Sequence, residues 1–396
     1  MNSQQIKELY AENVMETYAR FDVVLDRGEG ATLYSPEGKA YVDFTSGIGV
    51  NSIGYGNRGW AEAIMNQAVR LQHVSNLYYT EPGARLAEAL TKGTGMKKAF
   101  FSNSGAESNE GAIKLARKYA RDKYGPGRES VITLERSFHG RTITTLAATG
   151  QDVFHQHFFP FTEGFRHIPA NDFAALEAEL GRGDVCAVMM ELVQGEGGVL
   201  PLDKEYVSKA FTLCREKDVL LICDEVQTGI GRTGSLFAFQ QFDIQPDVVT
   251  FAKGIAGGLP MGGILANHRC AGVLTAGTHA TTFGGNPVCA AAALYVLDTL
   301  TPQLLENVTH KGEYIRKTIE SWSTPAVSQV RGMGLMIGVS LKGIKPADVV
   351  GRCIEKGLLV LTAGSDALRL LPPLTISHEE TEKGLALLKS VLEELQ

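Results

Sequence analysis

Short apolar runs recur through the middle of the chain, between about residue 97 and residue 285, and segments with helical spacing of apolar residues separate them. Several runs are unbroken rather than alternating, which is typical of strands buried on both faces. The predicted strands are residues 98–101, 131–134, 185–190, 219–223, 248–252 and 263–266, with helical patterns such as 107–123 and 203–217 between them. This order predicts an α/β fold, in which helices cover a mostly parallel sheet and the functional residues lie at the carboxyl ends of its strands.

The two ends of the chain have a different pattern. Helical stretches near 287–300 and 303–321 precede predicted strands at 334–341, 358–361 and 368–371, and a last helix begins at a capping box, residues 377–380. Near the N-terminus, strand-like residues 31–34 and 39–44 flank a turn at 36–38. We therefore predict a large domain at 56–290, a small α+β domain at 291–396, and an N-terminal segment, 1–55, that packs with the small domain.

Composition and charge narrow the class of protein. The 396 residues are 44% apolar, enough for a large core, and the net charge of −6 without a basic stripe argues against nucleic acid as a partner. The six cysteines form no C-x-x-C pair, which is typical of reduced thiols in a cytoplasmic protein. We also expect no signal peptide, no membrane span and, at His155 and His157, no metal site.

A lysine and an aspartate each follow a predicted buried strand. Lys253 enters a glycine-rich turn after the run at 248–252, and Asp224 follows the run at 219–223. A lysine in this place is often only the start of a surface loop. Together, however, the two residues are what a pyridoxal 5′-phosphate (PLP) enzyme needs, because the lysine amine forms a Schiff base with the cofactor aldehyde and the carboxylate keeps the pyridine nitrogen protonated.

Two further segments could bind the phosphate of such a cofactor. Ser104 is a natural N-cap, and the small residues Gly105 and Ala106 let the first N–H groups of the following helix approach an anion. Thr281 and Thr282 supply two hydroxyls next to flexible glycines. An ordinary capped helix and a plain turn are the alternative interpretations of these segments.

Three charged residues and one aromatic residue could bind substrate. Phe138 can stack on a flat ring, and Arg141 can hold a carboxylate with two parallel hydrogen bonds. Arg369 lies inside an apolar strand, so it has either a structural carboxylate partner or a substrate carboxylate. Glu196 is either a solvated loop residue or the charge that occupies a cationic substrate site when substrate is absent.

Residues 229–234 match G-x-G-x-x-G, the pattern of a dinucleotide-binding loop. In that loop the first glycine directly follows a strand, and a long helix begins at the last. Here residues 224–228 separate the pattern from the preceding strand, and no long helix is predicted after it. The pattern therefore does not indicate a nicotinamide or flavin dinucleotide.

Taken together, these segments resemble the class III (ornithine-type) aminotransferases of the fold-type I PLP enzymes. The resemblance covers nearly the whole chain. Its most similar segments occur in the same order, at residues 104–107, 138–142, 194–198, 224–234, 251–262 and 281–287. The most specific block is 224–234 with a lysine shortly downstream. The resemblance implies a large PLP-binding domain with a mostly parallel central sheet, a smaller α+β domain, and a homodimer with a shared active site.

The resemblance also implies how the cofactor is held. Lys253 is the Schiff-base lysine, Asp224 pairs with the pyridine nitrogen, and Gln227 contacts the ring hydroxyl. Phe138 stacks on the ring. The phosphate is bound by the segment of Ser104, Gly105 and Ala106 and by Thr282 of the partner subunit.

For the substrates, the resemblance implies that Arg141 holds the α-carboxylate of the amino donor and that Thr281 lies beside it. Arg369 takes a carboxylate of 2-oxoglutarate and is masked by Glu196 while a basic donor is bound.

Within the family, the sequence most resembles the enzymes that act on acetylornithine. Gly47 and Gly49 leave space for an acyl group where ornithine enzymes usually carry a tyrosine, while Leu192 replaces a proline found in many relatives. The implied reaction converts N2-acetyl-L-ornithine and 2-oxoglutarate into N-acetyl-L-glutamate 5-semialdehyde and L-glutamate, with ping-pong kinetics. Ornithine, succinylornithine or 4-aminobutyrate as donor, and a PLP-dependent aminomutase, are the alternatives.

Overall fold

A seven-stranded sheet forms the centre of the computed structural model, which describes residues 1–396. Its strands, from one edge to the other, are Lys98–Ser102, Gly262–Ala266, Val248–Phe251, Leu220–Asp224, Val185–Met190, Ser130–Leu134 and Phe165–Ile168. Gly262–Ala266 runs antiparallel to the other six strands, which are parallel to one another. The predicted mostly parallel sheet is confirmed, and all six predicted strands belong to it.

The central strands are apolar throughout because both of their faces are buried. Along Leu220–Asp224, Leu221 and Cys223 belong to one core cluster, while Leu220 and Ile222 belong to another on the opposite face. The helices around this sheet are Arg58–Arg70, Glu81–Thr94, Gly105–Tyr124, Ile143–Ala148, Phe173–Gly181, Lys204–Glu216 and Pro287–Thr299. The period-two division of side chains between two cores explains the unbroken runs.

The chain termini build a second core together. Strands Arg27–Glu29, Thr32–Tyr34, Ala40–Asp43 and Leu358–Leu359 form one four-stranded sheet, and Val327–Met333, Met336–Leu341, Ala367–Leu370 and Leu361–Ala363 form another. Helices Pro302–Ser321, Pro346–Lys356 and His378–Glu394 cover them. Val42 and Phe44 pack in one cluster with Ile337, Leu385 and Leu388, so the N-terminal strands share a core with C-terminal residues.

The predicted capping box begins the last helix. Ser377 Oγ accepts from the Glu380 N–H at 3.1 Å, and Glu380 Oε2 accepts from the Ser377 N–H at 3.0 Å. The same carboxylate also accepts from the Ala31 N–H at 2.7 Å through Oε1, which joins the N-terminal strands to the helix. The domain boundaries at 55 and 290 stay predictions. Helix Pro287–Thr299, which straddles the second boundary, packs its buried face against the core of the large sheet.

The remaining elements are short or peripheral. They are helix Ser3–Asn13, the turn Ser46–Gly49, the two-stranded pair Val193–Gln194 and Leu200–Pro201, and 3₁₀ turns at Ser75–Leu77, Asp152–Phe154, Ala238–Gln241 and Lys253–Ala256. No single helix is long and apolar enough to cross a membrane; Pro287–Thr299 and Pro302–Ser321 would have the length and composition only as a pair, across a bend of 72°.

Candidate active site

A cavity of about 410 Å³ opens where five strands of the large sheet end. Ser104 follows the strand Lys98–Ser102, Phe138 follows Ser130–Leu134, and Glu191 follows Val185–Met190. Asp224 and Lys253 line the cavity from the ends of the next two strands. The sheet topology thus brings together residues that are up to 149 positions apart, from Ser104 to Lys253, at the edge expected for an open α/β sheet.

Lys253 begins a 3₁₀ turn directly after the strand Val248–Phe251 and its successor Ala252. Its φ of +47° places it in the left-handed region, which is unusual for a residue with a side chain. Burial lowers the pKa of the amine to about 8, and the charge of Arg369 acts in the same direction, against the carboxylates of Asp224, Glu191 and Glu196. A larger share of neutral amine at neutral pH makes Lys253 a better nucleophile than a surface lysine.

Asp224 is held in one orientation by three hydrogen bonds. Its Oδ2 accepts from Asn109 Nδ2 and from His139 Nδ1, each at 2.8 Å, and its Oδ1 accepts from the Val226 N–H at 3.0 Å. Nδ1 of His139 is assigned as the donor because an ionised carboxylate can only accept. The result is a buried acceptor with fixed direction, 3% exposed, at the base of the cavity.

Asn109 and His139 were not among the predicted site residues. His139 lies in the predicted segment 138–142, next to Phe138, and Asn109 lies one helical turn beyond Gly105, on a helix face that points to the cavity. Both side chains are polar and almost fully buried. The spacing of Asn109 after the phosphate segment is the only sequence signal that could have identified it.

Glu191 is a third residue that the sequence did not reveal. Its Oε1 accepts from the Phe138 N–H at 2.8 Å, and its Oε2 accepts from the Gly195 N–H at 3.0 Å, so it joins the loops that follow two adjacent strands. Burial raises the pKa of this carboxyl to about 7; the nearby His139 lowers it and Asp224 raises it. Its effect on the cavity wall is to fix the backbone that carries Phe138.

The start of helix Gly105–Tyr124 forms one wall of the cavity. Ser104 is its N-cap and accepts from the Glu107 N–H at 3.2 Å, while Ser104, Gly105 and Ala106 all line the cavity. A Cβ on Gly105 would lie 2.7 Å from Cγ1 of Val226, so only glycine fits this close approach. The first N–H groups of a 20-residue helix, which have no partner within the helix, make this wall suitable for an anion.

Arg369 and Glu196 form an ion pair beside the cavity. Nη1 of Arg369 lies 2.9 Å from Oε2 of Glu196 and donates to Oε1 of Gln227 at 3.3 Å. The arginine side chain is 3% exposed and the glutamate side chain 37% exposed. Gln227 lines the cavity, whereas Glu196 borders an adjacent one of about 420 Å³. The guanidinium is therefore neutralised by a carboxylate that can move into solvent.

Arg141 lies at the rim, exposed to solvent. Its guanidinium carbon is 4.0 Å from the ring centroid of Phe154 and 5.6 Å from that of Phe138. Stacking on an aromatic face leaves the N–H edge of a guanidinium available for a carboxylate.

Thr281 and Thr282 have different surroundings within one chain. Oγ1 of Thr281 accepts from Asn103 Nδ2 and from the Gly284 N–H, each at 3.2 Å, and Asn103 lines the cavity. Thr282 is exposed and does not belong to the cavity wall. All other predicted cofactor-contacting residues line the cavity.

Comparisons of the sequence with a family model and with known proteins both match aminotransferases. The sequence model of the aminotransferase class-III family matches residues 14–392. The acetylornithine aminotransferase of Haemophilus ducreyi is 53% identical over 396 residues, which cover 100% of both chains.

Solved structures agree with this match. A structure of ornithine aminotransferase from Toxoplasma gondii with partial occupancy of PLP at its active site has a TM-score of 0.94 and 31% identity, covering 99% of this chain and 94% of its own. N-acetylornithine aminotransferase from Stenotrophomonas maltophilia has a TM-score of 0.85 and 35% identity, covering 98% of each chain.

Proposed function

The chain belongs to the class-III aminotransferases, a PLP-dependent family, and from this premise we propose that it transfers the terminal amino group of N2-acetyl-L-ornithine to 2-oxoglutarate. The products are N-acetyl-L-glutamate 5-semialdehyde and L-glutamate, a step of arginine biosynthesis. The observation that carries the choice of donor is the likeness, over the full chain, to relatives named acetylornithine aminotransferase.

The residues around the cavity fit PLP. The N-terminus of helix Gly105–Tyr124 would hold the phosphate, Asp224 the pyridine nitrogen, and Lys253 the aldehyde carbon. Phe138 would cover one face of the ring, and Gln227 would contact its hydroxyl. The close packing of Gly105 against Val226 supports this assignment, because it brings backbone N–H groups to the cavity surface, as the phosphate requires.

PLP, when bound, supplies an electron sink that weakens the C–H bond at the amine-bearing carbon. Lys253, freed from the cofactor when the amine of the donor takes its place, would remove the proton from Cδ of the donor with its Nζ, and in the second half-reaction it would deliver a proton to C2 of the acceptor. A pKa of about 8 suits both directions, because the amine is neither fully protonated nor a very weak acid near neutral pH.

The ion pair between Arg369 and Glu196 would let one site accept two substrates that differ in charge. We propose that Arg141 binds the α-carboxylate of the donor and that Thr281 lies beside it. Arg369 is neutralised by Glu196 while the donor occupies the site. When 2-oxoglutarate enters, its second carboxylate replaces Glu196, which swings into solvent, since that side chain is the more exposed of the pair. One cavity can then serve both half-reactions.

We further propose a homodimer in which Thr282 contributes to the phosphate site of the other subunit. Thr282 is exposed, and the loop that carries it is tied to a neighbouring exposed segment by Asn76, whose Nδ2 donates to the Gly284 carbonyl at 2.8 Å. Leu77 is 83% exposed and Phe283 61%, so this part of the surface is apolar. Exposed apolar surface of this kind is typical of an interface between subunits. All six cysteines are free, which fits the reducing cytoplasm as the proposed compartment.

A panel of amino donors tests the proposal, with 2-oxoglutarate as acceptor and glutamate formation as the readout. We expect kcat/KM to be highest for N2-acetylornithine, ahead of ornithine, succinylornithine and 4-aminobutyrate. A higher value for any of these donors would reassign the substrate. Turnover without any added 2-oxo acid would instead indicate an aminomutase.

A further inference from the structure

The G-x-G-x-x-G segment, residues 229–234, is a contact between the two cores rather than a ligand loop. Gly231 has φ +85°, and a Cβ there would lie 2.9 Å from side-chain atoms of Leu300 and Leu374. Gly234 has φ +95°, and a Cβ there would lie 2.2 Å from Oγ1 of Thr309. These two glycines therefore allow the loop to pack closely against the core that the chain termini form.

The arginine between them, Arg232, is 2% exposed and forms no direct ion pair, although the buried carboxylate of Asp43 lies close enough to favour its charged form. Its Nη1 donates to the Leu335 carbonyl at 3.0 Å and to the Pro372 carbonyl at 2.5 Å, and its Nη2 donates to Ser46 Oγ at 3.3 Å. Removing Arg232 would leave the Leu335 and Pro372 carbonyls without this donor, which destabilises the fold. Its third contact, with Ser46, reaches a turn next to the cavity and points to a further role there.

The contact with Ser46 supports an unusual turn. Ser46, Gly47, Ile48 and Gly49 all have positive φ, of +41°, +62°, +64° and +77°. A left-handed conformation is strongly disfavoured for the β-branched Ile48, whose side chain is 46% exposed. Ser46 holds the start of the turn, because its Oγ donates to the Leu371 carbonyl at 2.6 Å while accepting from Arg232. Strained backbone persists only where the surroundings fix it in this way.

This turn lies next to Lys253 and next to the strand that carries Arg369. Val50, the residue after it, lines the cavity, and Ser52 Oγ donates to the carbonyl of Gly254, next to Lys253, at 2.9 Å. Leu371, which Ser46 contacts, lies two residues beyond Arg369. Through these contacts the turn is joined to the cavity wall at Val50, to the backbone next to Lys253, and to the end of the strand that carries Arg369.

We propose that Arg232 is a positioning residue for the amino donor: through Ser46 and the Pro372 carbonyl it holds the left-handed turn at residues 46–49 in the shape that binds the donor's acylated end. The inference rests on the proposed function, from which it takes the orientation of the donor. It assigns the G-x-G-x-x-G segment a part in substrate binding without any contact to substrate.

Arg232→Met and Ser46→Ala, made in the PLP-loaded enzyme, test this role. We expect each to raise KM for the donor about tenfold, which corresponds to about 1.4 kcal/mol, with kcat within about twofold of the parent. Amide hydrogen exchange of residues 44–53, measured without substrate, should become faster in both variants. Ser46→Ala removes one hydroxyl, so it keeps the test valid if Arg232→Met does not fold.

The double variant separates action through Ser46 from two independent effects. If Arg232 acts through Ser46, the donor KM of the double variant should equal that of Arg232→Met alone rather than the product of the two increases. Arg128→Met is the matched control, because Arg128 also donates to backbone carbonyls, those of Val185, Lys217 and Asp218, at the opposite end of the sheet. It should leave donor KM and exchange at 44–53 unchanged.

Unchanged donor KM in folded Ser46→Ala, a fall in kcat alone, or multiplicative effects in the double variant would overturn the proposal. The donor used is the best one in the panel for the parent enzyme. If that donor is not N2-acetylornithine, the proposed function fails, while hydrogen exchange at 44–53 still tests whether Arg232 and Ser46 hold the turn.

Discussion

Lys253 is the residue on which the proposed chemistry depends most directly. Lys253→Ala removes the only amine on the cavity wall, so the protein should lose the near-visible absorbance band that PLP shows when joined to a lysine. Lys92→Ala is the control, since Lys92 pairs with Glu88 on an exposed helix surface and should leave the band intact. A band of unchanged position and intensity in Lys253→Ala would place the cofactor elsewhere.

The lowered pKa of Lys253 gives a second residue-scale prediction. Because only the neutral amine attacks an aldehyde, the rate at which the apoprotein takes up PLP should rise with pH and level off above a midpoint near 8. An ordinary lysine would give a rate still rising at pH 10. Stopped-flow absorbance over pH 6 to 10 measures this. A midpoint near 10 would mean that burial does not lower the pKa in solution.

At this scale the sequence identifies the residues with distinctive chemistry but not the residues that support them. Lys253, Asp224 and Arg369 are conspicuous because a charge beside or within an apolar run is unusual. His139, Asn109 and Glu191 are also buried, but each has a hydrogen-bond partner 30 or more positions away, as in the 85-residue separation between His139 and Asp224. Apart from the spacing of Asn109 after Gly105, such residues have no local signature.

At the scale of elements, the phosphate wall, which is the cavity wall formed by Ser104, Gly105 and Ala106 at the start of helix Gly105–Tyr124, can be tested by substitution. Gly105→Ala places a methyl group 2.7 Å from Val226, so either the helix start or Val226 must shift. We expect the dissociation constant for PLP to rise about tenfold or more, equivalent to at least about 1.4 kcal/mol. Fluorescence titration of the apoprotein measures it, and Val226→Ala in the same chain should restore part of the affinity.

Gly351→Ala is the matched control for that substitution. Gly351 is exposed in helix Pro346–Lys356, and a Cβ there meets nothing within 4 Å. Alanine should therefore leave PLP affinity unchanged and stabilise the protein by up to about 1 kcal/mol, because glycine is the poorer helix former. Equal PLP affinity in the Gly105 and Gly351 variants would contradict the proposed phosphate wall.

The strands of the large sheet were predictable because burial on both faces imposes unbroken apolar runs. Phe165–Ile168 was missed, since it is an edge strand whose Arg166 and His167 are only partly buried and interrupt the apolar pattern. The predicted strand 358–361 is in fact two. Leu358–Leu359 pairs with Ala40–Asp43, and Leu361–Ala363 pairs with Ala367–Leu370 in a different sheet. The break arises because Leu358–Leu359 pairs with a strand near the N-terminus, while Leu361–Ala363 pairs with the next strand along the chain. Local propensity does not predict such a distant partner.

For the whole molecule, the position of Thr282 decides whether each active site belongs to one chain or two. In one chain Thr282 is exposed and does not line the cavity, although its neighbour Thr281 is hydrogen-bonded to the cavity residue Asn103. If Thr282 completes the phosphate site of the other subunit, Thr282→Ala should weaken PLP binding by about one hydrogen bond to a charged group, or roughly 1.5 to 3 kcal/mol. That loss alone, however, does not reveal which subunit supplies the hydroxyl.

Mixing two variants does reveal it. Lys253→Ala chains lack the lysine that joins PLP, and Thr282→Ala chains should bind PLP weakly. When the PLP concentration is limiting, neither homodimer should therefore be fully active. In a mixed dimer with shared sites, the lysine of the Thr282→Ala chain meets the intact Thr282 of the Lys253→Ala chain, and one complete site forms. Activity after subunit exchange should therefore exceed the average of the two separate preparations. If each chain used its own Thr282, every mixed dimer would lack a complete site, and exchange would bring no gain; the apolar surface around Leu77 and Phe283 would then need another explanation.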